Sequence, residues 1–278
     1  MGRGALCNAV VIVMDRFPRC NGRHAVTIQS SNVQPAVEIL SNPVDALKGL
    51  LQHVTDVIMP HECFVCGSAA GGEAVCPACR GELPRRPGRA CPVCALPVVD
   101  GGVCGRCARQ PPAFDATWAV FDYAFPVDAM LHALKYRHQL ALAGFFAREL
   151  AGLAGDPWRG VDMILPMPLH AHRLAERGFN QAVEIARPLA RANGLPLELA
   201  AIRRVRNTVA QAGLDREARL RNPRGAFEGV RPLAGVRILV VDDVMTTGAT
   251  LNELARALKR QGAGWVGNLV IARTPTPD

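Results

Sequence analysis

The chain has 278 residues, 49% of them apolar, and a formal charge of +8 at pH 7, which allows one or two domains with a real core. It has no uncharged apolar run of roughly 18 residues, which excludes a membrane-spanning helix and predicts a cytoplasmic protein with no membrane insertion. In that compartment the ten cysteines are poor candidates for disulfides, and their spacing points to metal.

Residues 1–43 mix Gly, Asn, Ser and Gln with isolated prolines and carry no periodicity; they read as a poorly ordered extension, with Cys7 and Cys20 as free thiols. Over 44–60, Val44, Leu47, Leu50, Leu51, Val54 and Ile58 form a helix-period stripe that Pro60 stops. This docking helix would seat against the next module or a neighbouring subunit, so a homodimer is left open.

Residues 61–110 hold an internal repeat. Cys63-Phe-Val-Cys66 is followed after nine residues by Cys76-Pro-Ala-Cys79, and Cys91-Pro-Val-Cys94 after nine residues by Cys104-Gly-Arg-Cys107. A CxxC turn brings two thiolates to one tetrahedral centre, and two such turns close a four-cysteine zinc site. Eight ligands make two closed, structural Zn2+ sites. Redox CxxC motifs do not come as four evenly spaced pairs. Pairing within each half is preferred; a crossed arrangement stays open. Arg80, Arg85, Arg86 and Arg89 lie between the halves, as a polyanion contact or a solvated linker.

Pro111-Pro112 marks a boundary, and 113–274 alternates strand and helix patterns. Strands are expected over Ala116–Tyr123, Val161–Leu165, Leu197–Arg203, from Phe227, and over Val266–Ala272, with helices over Val127–Tyr136, Leu140–Leu153 and Asn180–Arg191. Lys135 closes the first helix, where a cation can meet an anion-binding loop. After Val161–Leu165 comes Pro166-Met-Pro-Leu-His-Ala-His-Arg-Leu-Ala-Glu-Arg-Gly-Phe-Asn-Gln181. Arg173 and Arg177 are one helical turn apart, so both guanidinium groups can reach one anion. His170 and His172 are candidate proton donors, though a surface role is the commoner one. Arg203 to Arg224 carries seven arginines against Asp215 and Glu217, suited to nucleic acid or a phosphorylated small molecule.

The most informative stretch is Arg237-Ile-Leu-Val-Val-Asp-Asp-Val-Met-Thr-Thr-Gly-Ala-Thr-Leu-Asn252. Ile238–Val241 is a buried strand. Asp242 and Asp243 follow at its carboxyl end, then Thr246, Thr247, Gly248, Ala249 and Thr250, then a helix with Leu251, Leu254, Ala255 and Leu258 on one face. A loop entering a helix N-terminus presents N–H groups and the positive end of the helix dipole. Gly248 permits close backbone approach and the threonines add hydroxyl donors. Beside it, two carboxylates can accept hydrogen bonds from a diol. A capped helix alone would need one hydroxyl, not this whole set.

Val240-Val-Asp-Asp-Val-Met-Thr-Thr-Gly-Ala-Thr250 resembles the phosphoribosyl pyrophosphate (PRPP) motif of type I phosphoribosyltransferases. The cysteine repeat, Lys135-Tyr136-Arg137 and Arg177-Gly-Phe-Asn-Gln181 resemble the ComF/GntX branch, and the likeness covers roughly 46–274. That branch usually has glycine where this chain has His138, and an apolar residue other than methionine at Met167. The resemblance implies an α/β fold, a mostly parallel sheet with helices on both faces, preceded by a small double zinc ribbon. It implies PRPP or another ribose phosphate as ligand, with Mg2+, and transfer of a phosphoribosyl group to an unidentified acceptor with release of pyrophosphate. Asp242 and Asp243 would hold the ribose and act in catalysis. Thr246 to Thr250 would bind the 5′-phosphate, and Lys135, Arg173 and Arg177 the pyrophosphate end. The alternative is a non-catalytic PRPP sensor or a single-stranded-DNA-binding protein of DNA uptake. On this reading ribbon and transferase-like domain are independent: Cys91→Ser loses a zinc but leaves PRPP binding largely intact.

Overall fold

The computed structural model describes residues 62–86, 88–153, 156–207 and 223–275. The extension over 1–43, the docking helix over 44–60 and residues 208–222 of the arginine-rich segment lie outside the described residues. The chain divides into two compact units, 1–81 and 82–278, and the division falls between the two cysteine quartets.

The described part of the first unit is one cysteine knuckle. Cys63 N–H donates to Ser68 O at 2.7 Å and Gly67 N–H to Cys63 O at 2.8 Å, closing a tight turn that Gly67 completes at φ 71°. The next two cysteines bracket the start of helix α1, Pro77–Gly81.

The second unit opens with the same device. Cys91 N–H donates to Leu96 O at 2.7 Å and Ala95 N–H to Cys91 O at 2.8 Å, and Cys107 lies in α2, Gly105–Arg109. There follow β1 Ala116–Asp122, α3 Val127–Tyr136, α4 Ala141–Ala151, β2 Met163–Pro166, α5 Ala171–Arg177, α6 Gln181–Ala192, β3 Ile202–Arg204, β4 Phe227–Gly229, β5 Arg237–Met245, α7 Ala249–Arg260 and β6 Trp265–Arg273. The main sheet has the order β1-β6-β5-β2 with every pair parallel, and β3 and β4 form a separate antiparallel ribbon.

Alternation sorts the two faces of the sheet. Ile238 and Val240 of β5, with Val266 and Val270 of β6, share a core with Leu251, Leu254 and Leu258 of α7, with Ile202 and Phe227 of the ribbon, and with Cys91, Cys94 and Cys107. The intervening Leu239, Val241, Leu269 and Ile271 are equally buried and face the other layer, where α4 and α6 pack on each other and on the sheet. The expected helices on both faces are therefore present.

Two sequence expectations need correction. The central strand does not end before the acidic pair: β6 accompanies β5 as far as Met245↔Arg273, so Asp242 and Asp243 lie inside the strand. Nor do residues 197–203 form one strand. Leu197 makes a single parallel bridge to Ile164, after which the Glu198 carboxylate accepts from Ala200 N–H at 2.7 Å and Ala201 N–H at 2.8 Å, turning the chain off the sheet edge.

Leu254→Ala should test the core shared with the second quartet, because this side chain is wholly buried. A loss of about 2–5 kcal/mol in denaturant unfolding is expected, against no more than about 0.5 kcal/mol for Leu199→Ala at an exposed site.

Candidate functional site

A cleft of about 340 Å³ opens beyond the carboxyl ends of β2 and β5, where ligands bind in open α/β sheets. Asp242 and Asp243 form its floor, Thr246, Gly248, Ala249 and Thr250 line one side, and Lys135, Arg173 and Arg177 line it as well. Thr247 is the exception: it turns to a neighbouring cleft of about 200 Å³, and its carbonyl accepts from Arg106 Nη2 at 2.9 Å.

The loop's geometry follows from its glycine. Gly248 sits at φ 80°, and a Cβ there would come within 2.6 Å of Met245 Cε. Gly248 is also the N-cap of α7, with no side-chain capping bond. None of the threonines therefore takes the N-cap position, and Thr247 Oγ1 reaches only Ala249 N–H, at 3.3 Å. The helix N-terminus is left open to an anion.

The arginine pair is presented by the short α5. His170 is its N-cap and accepts from His172 N–H at 3.2 Å; neither histidine is among the residues lining the cleft. Asn180 joins the signature's two ends, accepting from Ala182 N–H at 3.0 Å and donating to Met167 O at 3.0 Å. Arg177 donates to Gln181 Oε1 at 2.5 Å and lies over the Tyr136 ring at 5.1 Å. His138 takes the left-handed turn at φ 55° that glycine would take more easily. Its ring packs on Phe179 at 5.4 Å, and its Nε2 lies 3.2 Å from Arg177 O.

Strand alternation gives the adjacent carboxylates different partners. Asp243 forms an ion pair with Lys135, at the end of α3. Burial alone would raise the Asp243 pKa, but the Lys135 ammonium holds it below the usual carboxylate range. Lys135 is stabilised in turn: burial opposes its charge, and the Asp243 carboxylate more than restores it. At Asp242 the Lys135 charge is only a lesser opposing influence. Burial first, and then the Asp243 charge, raise its pKa well above the ordinary value. Arg204 also lines the cleft, its pKa lowered by burial and partly restored by Asp242. Of the two, Asp243 is the carboxylate held toward its ionised form and Asp242 the one pushed toward its protonated form.

Each cysteine quartet is a closed set. The sulfurs of Cys63, Cys66, Cys76 and Cys79 lie within 4.8 Å of one another, as do those of Cys91, Cys94, Cys104 and Cys107. Pairing is thus sequential rather than crossed. Cys76 N–H donates to Cys63 Sγ at 3.3 Å and Cys104 N–H to Cys91 Sγ at 3.3 Å, which steadies a thiolate in the way a zinc ligand needs. All-sulfur donation in a tetrahedral set suits zinc, which would act here as a cross-link.

Sequence reasoning missed Arg273, 1% exposed, whose only local signal is an arginine ending an apolar strand. It also passed over Tyr123, Tyr136, Gln181 and Arg204 as cleft residues. No helix among the described residues is long and apolar enough to cross a membrane.

A double zinc ribbon family model matches residues 54–108, and a phosphoribosyl transferase domain model matches 174–277. DNA utilization protein YhgH of Salmonella typhimurium is 34% identical over 224 residues, covering 78% of this chain and 98% of the relative. Competence protein F of Haemophilus influenzae is 31% identical over 167 residues, covering 57% and 73% respectively. The structure of Trypanosoma cruzi hypoxanthine phosphoribosyl transferase is 15% identical with a TM-score of 0.28, covering 55% of this chain and 70% of that one, a likeness too distant to bear on activity.

Lys135→Met tests the buried ion pair. With its pKa held below the unfolded value of about 3.9, wild-type Asp243 contributes stability that is present above that pH and is lost as pH falls through the folded value. In the variant the Lys135 contribution is gone and burial is opposed by the hydrogen bonds with Asp242 and from Val244 N–H, so the rise of stability with pH through the carboxylate range should flatten. At pH 7 the expected loss is about 3–5 kcal/mol, read from denaturant unfolding at several pH values. An unchanged pH slope would contradict the pairing.

Proposed function

Because the chain belongs to the ComF-like family, which joins a double zinc ribbon to a phosphoribosyltransferase domain, we propose that its cleft binds PRPP and that it transfers the phosphoribosyl group to an acceptor, releasing pyrophosphate. The supporting observation is the arrangement around β5. An uncapped helix N-terminus, two buried carboxylates and two arginines one helical turn apart line one cleft.

The 5′-phosphate sits on the loop from Thr246 to Thr250, where backbone N–H groups and the α7 dipole favour an anion. The ribose hydroxyls donate to Asp242 and Asp243. Arg173 and Arg177 take the pyrophosphate, with Lys135 behind Asp243. Mg2+ arrives with PRPP as part of the substrate, and Asp242 and Asp243 are the only carboxylates lining the cleft among the described residues. Displacement at the anomeric carbon breaks the bond to pyrophosphate, and the positive charge developing on the ribose is stabilised by the carboxylates beneath it. Hydrogen bonds from ribose favour ionised Asp242, so binding should release a proton, and affinity should rise with pH until Asp242 is ionised without ligand.

A second reading has its own observation. The neighbouring cleft carries Arg106, Arg224 and Arg256, a cationic lining that suits a phosphodiester backbone. The relatives named for DNA utilization and competence favour single-stranded DNA as its ligand. Such binding would weaken steeply with salt and need no pyrophosphate release.

Arg173→Ala separates the subsites: affinity for PRPP should fall about 10-fold or more while affinity for ribose 5-phosphate changes little, both measured by calorimetry. Equal loss for the two ligands would remove the pyrophosphate assignment.

A further inference from the structure

The second cysteine quartet is bound to the phosphate loop by a network that the transferase reading does not use. Arg273 is almost wholly buried. Its Nε donates to Cys94 O at 3.0 Å. Its Nη1 donates to Met245 O at 2.9 Å, to Thr246 O and to Thr274 O at 2.9 Å. Arg106, between Cys104 and Cys107, donates to Thr247 O at 2.9 Å. Arg86 reinforces the same corner, donating to Ala95 O at 2.5 Å and to Arg273 O at 3.4 Å. Phe114 packs beneath the loop, 3.8 Å from where a Cβ of Gly248 would stand.

Three successive carbonyls, those of Met245, Thr246 and Thr247, are thus held by two arginines on the knuckle side. In a planar trans peptide the carbonyl and the next N–H point in opposite directions. Gripping these carbonyls from one side directs the N–H groups of Thr247 and Gly248 to the other, where an anion can collect them. The guanidinium fork is rigid, so it transmits the position of the Cys94 carbonyl rather than merely supplying charge.

We propose that the second quartet, through Arg273 and Arg106, holds the phosphate loop in its anion-binding conformation, so that metal occupancy at Cys91, Cys94, Cys104 and Cys107 governs affinity for a sugar 5′-phosphate but not for pyrophosphate. The inference rests on the reading of the cleft as a ribose-phosphate site, and it reverses the sequence expectation that ribbon and transferase-like domain are independent at this quartet. Arg273 and Arg106 are positioning residues, since neither lines the cleft that would hold the sugar.

The test uses the full chain, loaded with zinc, and measures ribose 5-phosphate and pyrophosphate affinities separately by calorimetry, with zinc content determined for each sample. Arg273→Lys keeps the charge and loses the fork; Arg106→Ala removes an exposed side chain; Cys107→Ser opens the quartet. In all three, ribose 5-phosphate affinity should fall about 10- to 100-fold, the usual scale for a partner that orients a binding group, with pyrophosphate affinity within about twofold of wild type. Zinc should drop by one equivalent only in Cys107→Ser. Wild-type affinity for ribose 5-phosphate in Arg106→Ala and Arg273→Lys would overturn the coupling, and so would equal weakening of both ligands, the signature of a general loss of fold. Wild-type protein that binds neither ligand would instead remove the ribose-phosphate reading on which the inference rests.

Discussion

Two adjacent carboxylates buried in a central strand are unstable unless something offsets their desolvation and mutual repulsion, and much of the domain around β5 supplies that offset. Lys135, carried on α3, neutralises Asp243. Asp242 is left toward its protonated form by burial and the Asp243 charge, with the Lys135 charge a lesser opposing influence. The result is a cleft floor with one fixed charge and one titratable group. On the proposed reading, a diol-bearing, phosphorylated ligand would complete it, its hydroxyls donating to both carboxylates and its anionic ends being met elsewhere.

Under the same proposal those anionic ends would be met by backbone and by arginine, both of which line the cleft. The helix N-terminus at Gly248 is open because the residue in the capping position has no side chain. The α5 arginines are aimed by ordinary packing: the Tyr136 ring under Arg177, Gln181 against its guanidinium, and Asn180 tying α6 to the loop after β2. The zinc quartet of the second unit enters this arrangement from behind the loop. It is connected to the loop through Arg273, which bridges Cys94 to Met245 and Thr246.

What was legible in the sequence was local. The cysteine quartets were readable because CxxC spacing encodes the geometry of a ligand turn, and the loop from Thr246 to Thr250 because its strand, acids, small residues and helix are contiguous. The parallel sheet with helices on both faces was readable from the strand–helix alternation. What escaped depends on partners distant in the chain. The strand runs on through Asp242 and Asp243 because β6 continues to pair with it, which no property of residues 237–245 announces. The strand expected over 197–203 breaks because Glu198 turns back on its own backbone. Thr247 leaves the cleft because of Arg106, 141 residues earlier. The link from Arg273 to Cys94 rests on a hydrogen bond spanning 179 residues.

The most direct test of the account is a calorimetric titration of PRPP with Mg2+ into wild-type protein and into Asp242→Asn/Asp243→Asn. The account predicts saturable binding to wild type, accompanied by proton release into buffer, and its loss in the double variant, where the diol faces amides. Undiminished binding in the double variant, or none in wild type, would contradict the assignment of β5 and its loop as a ribose-phosphate site.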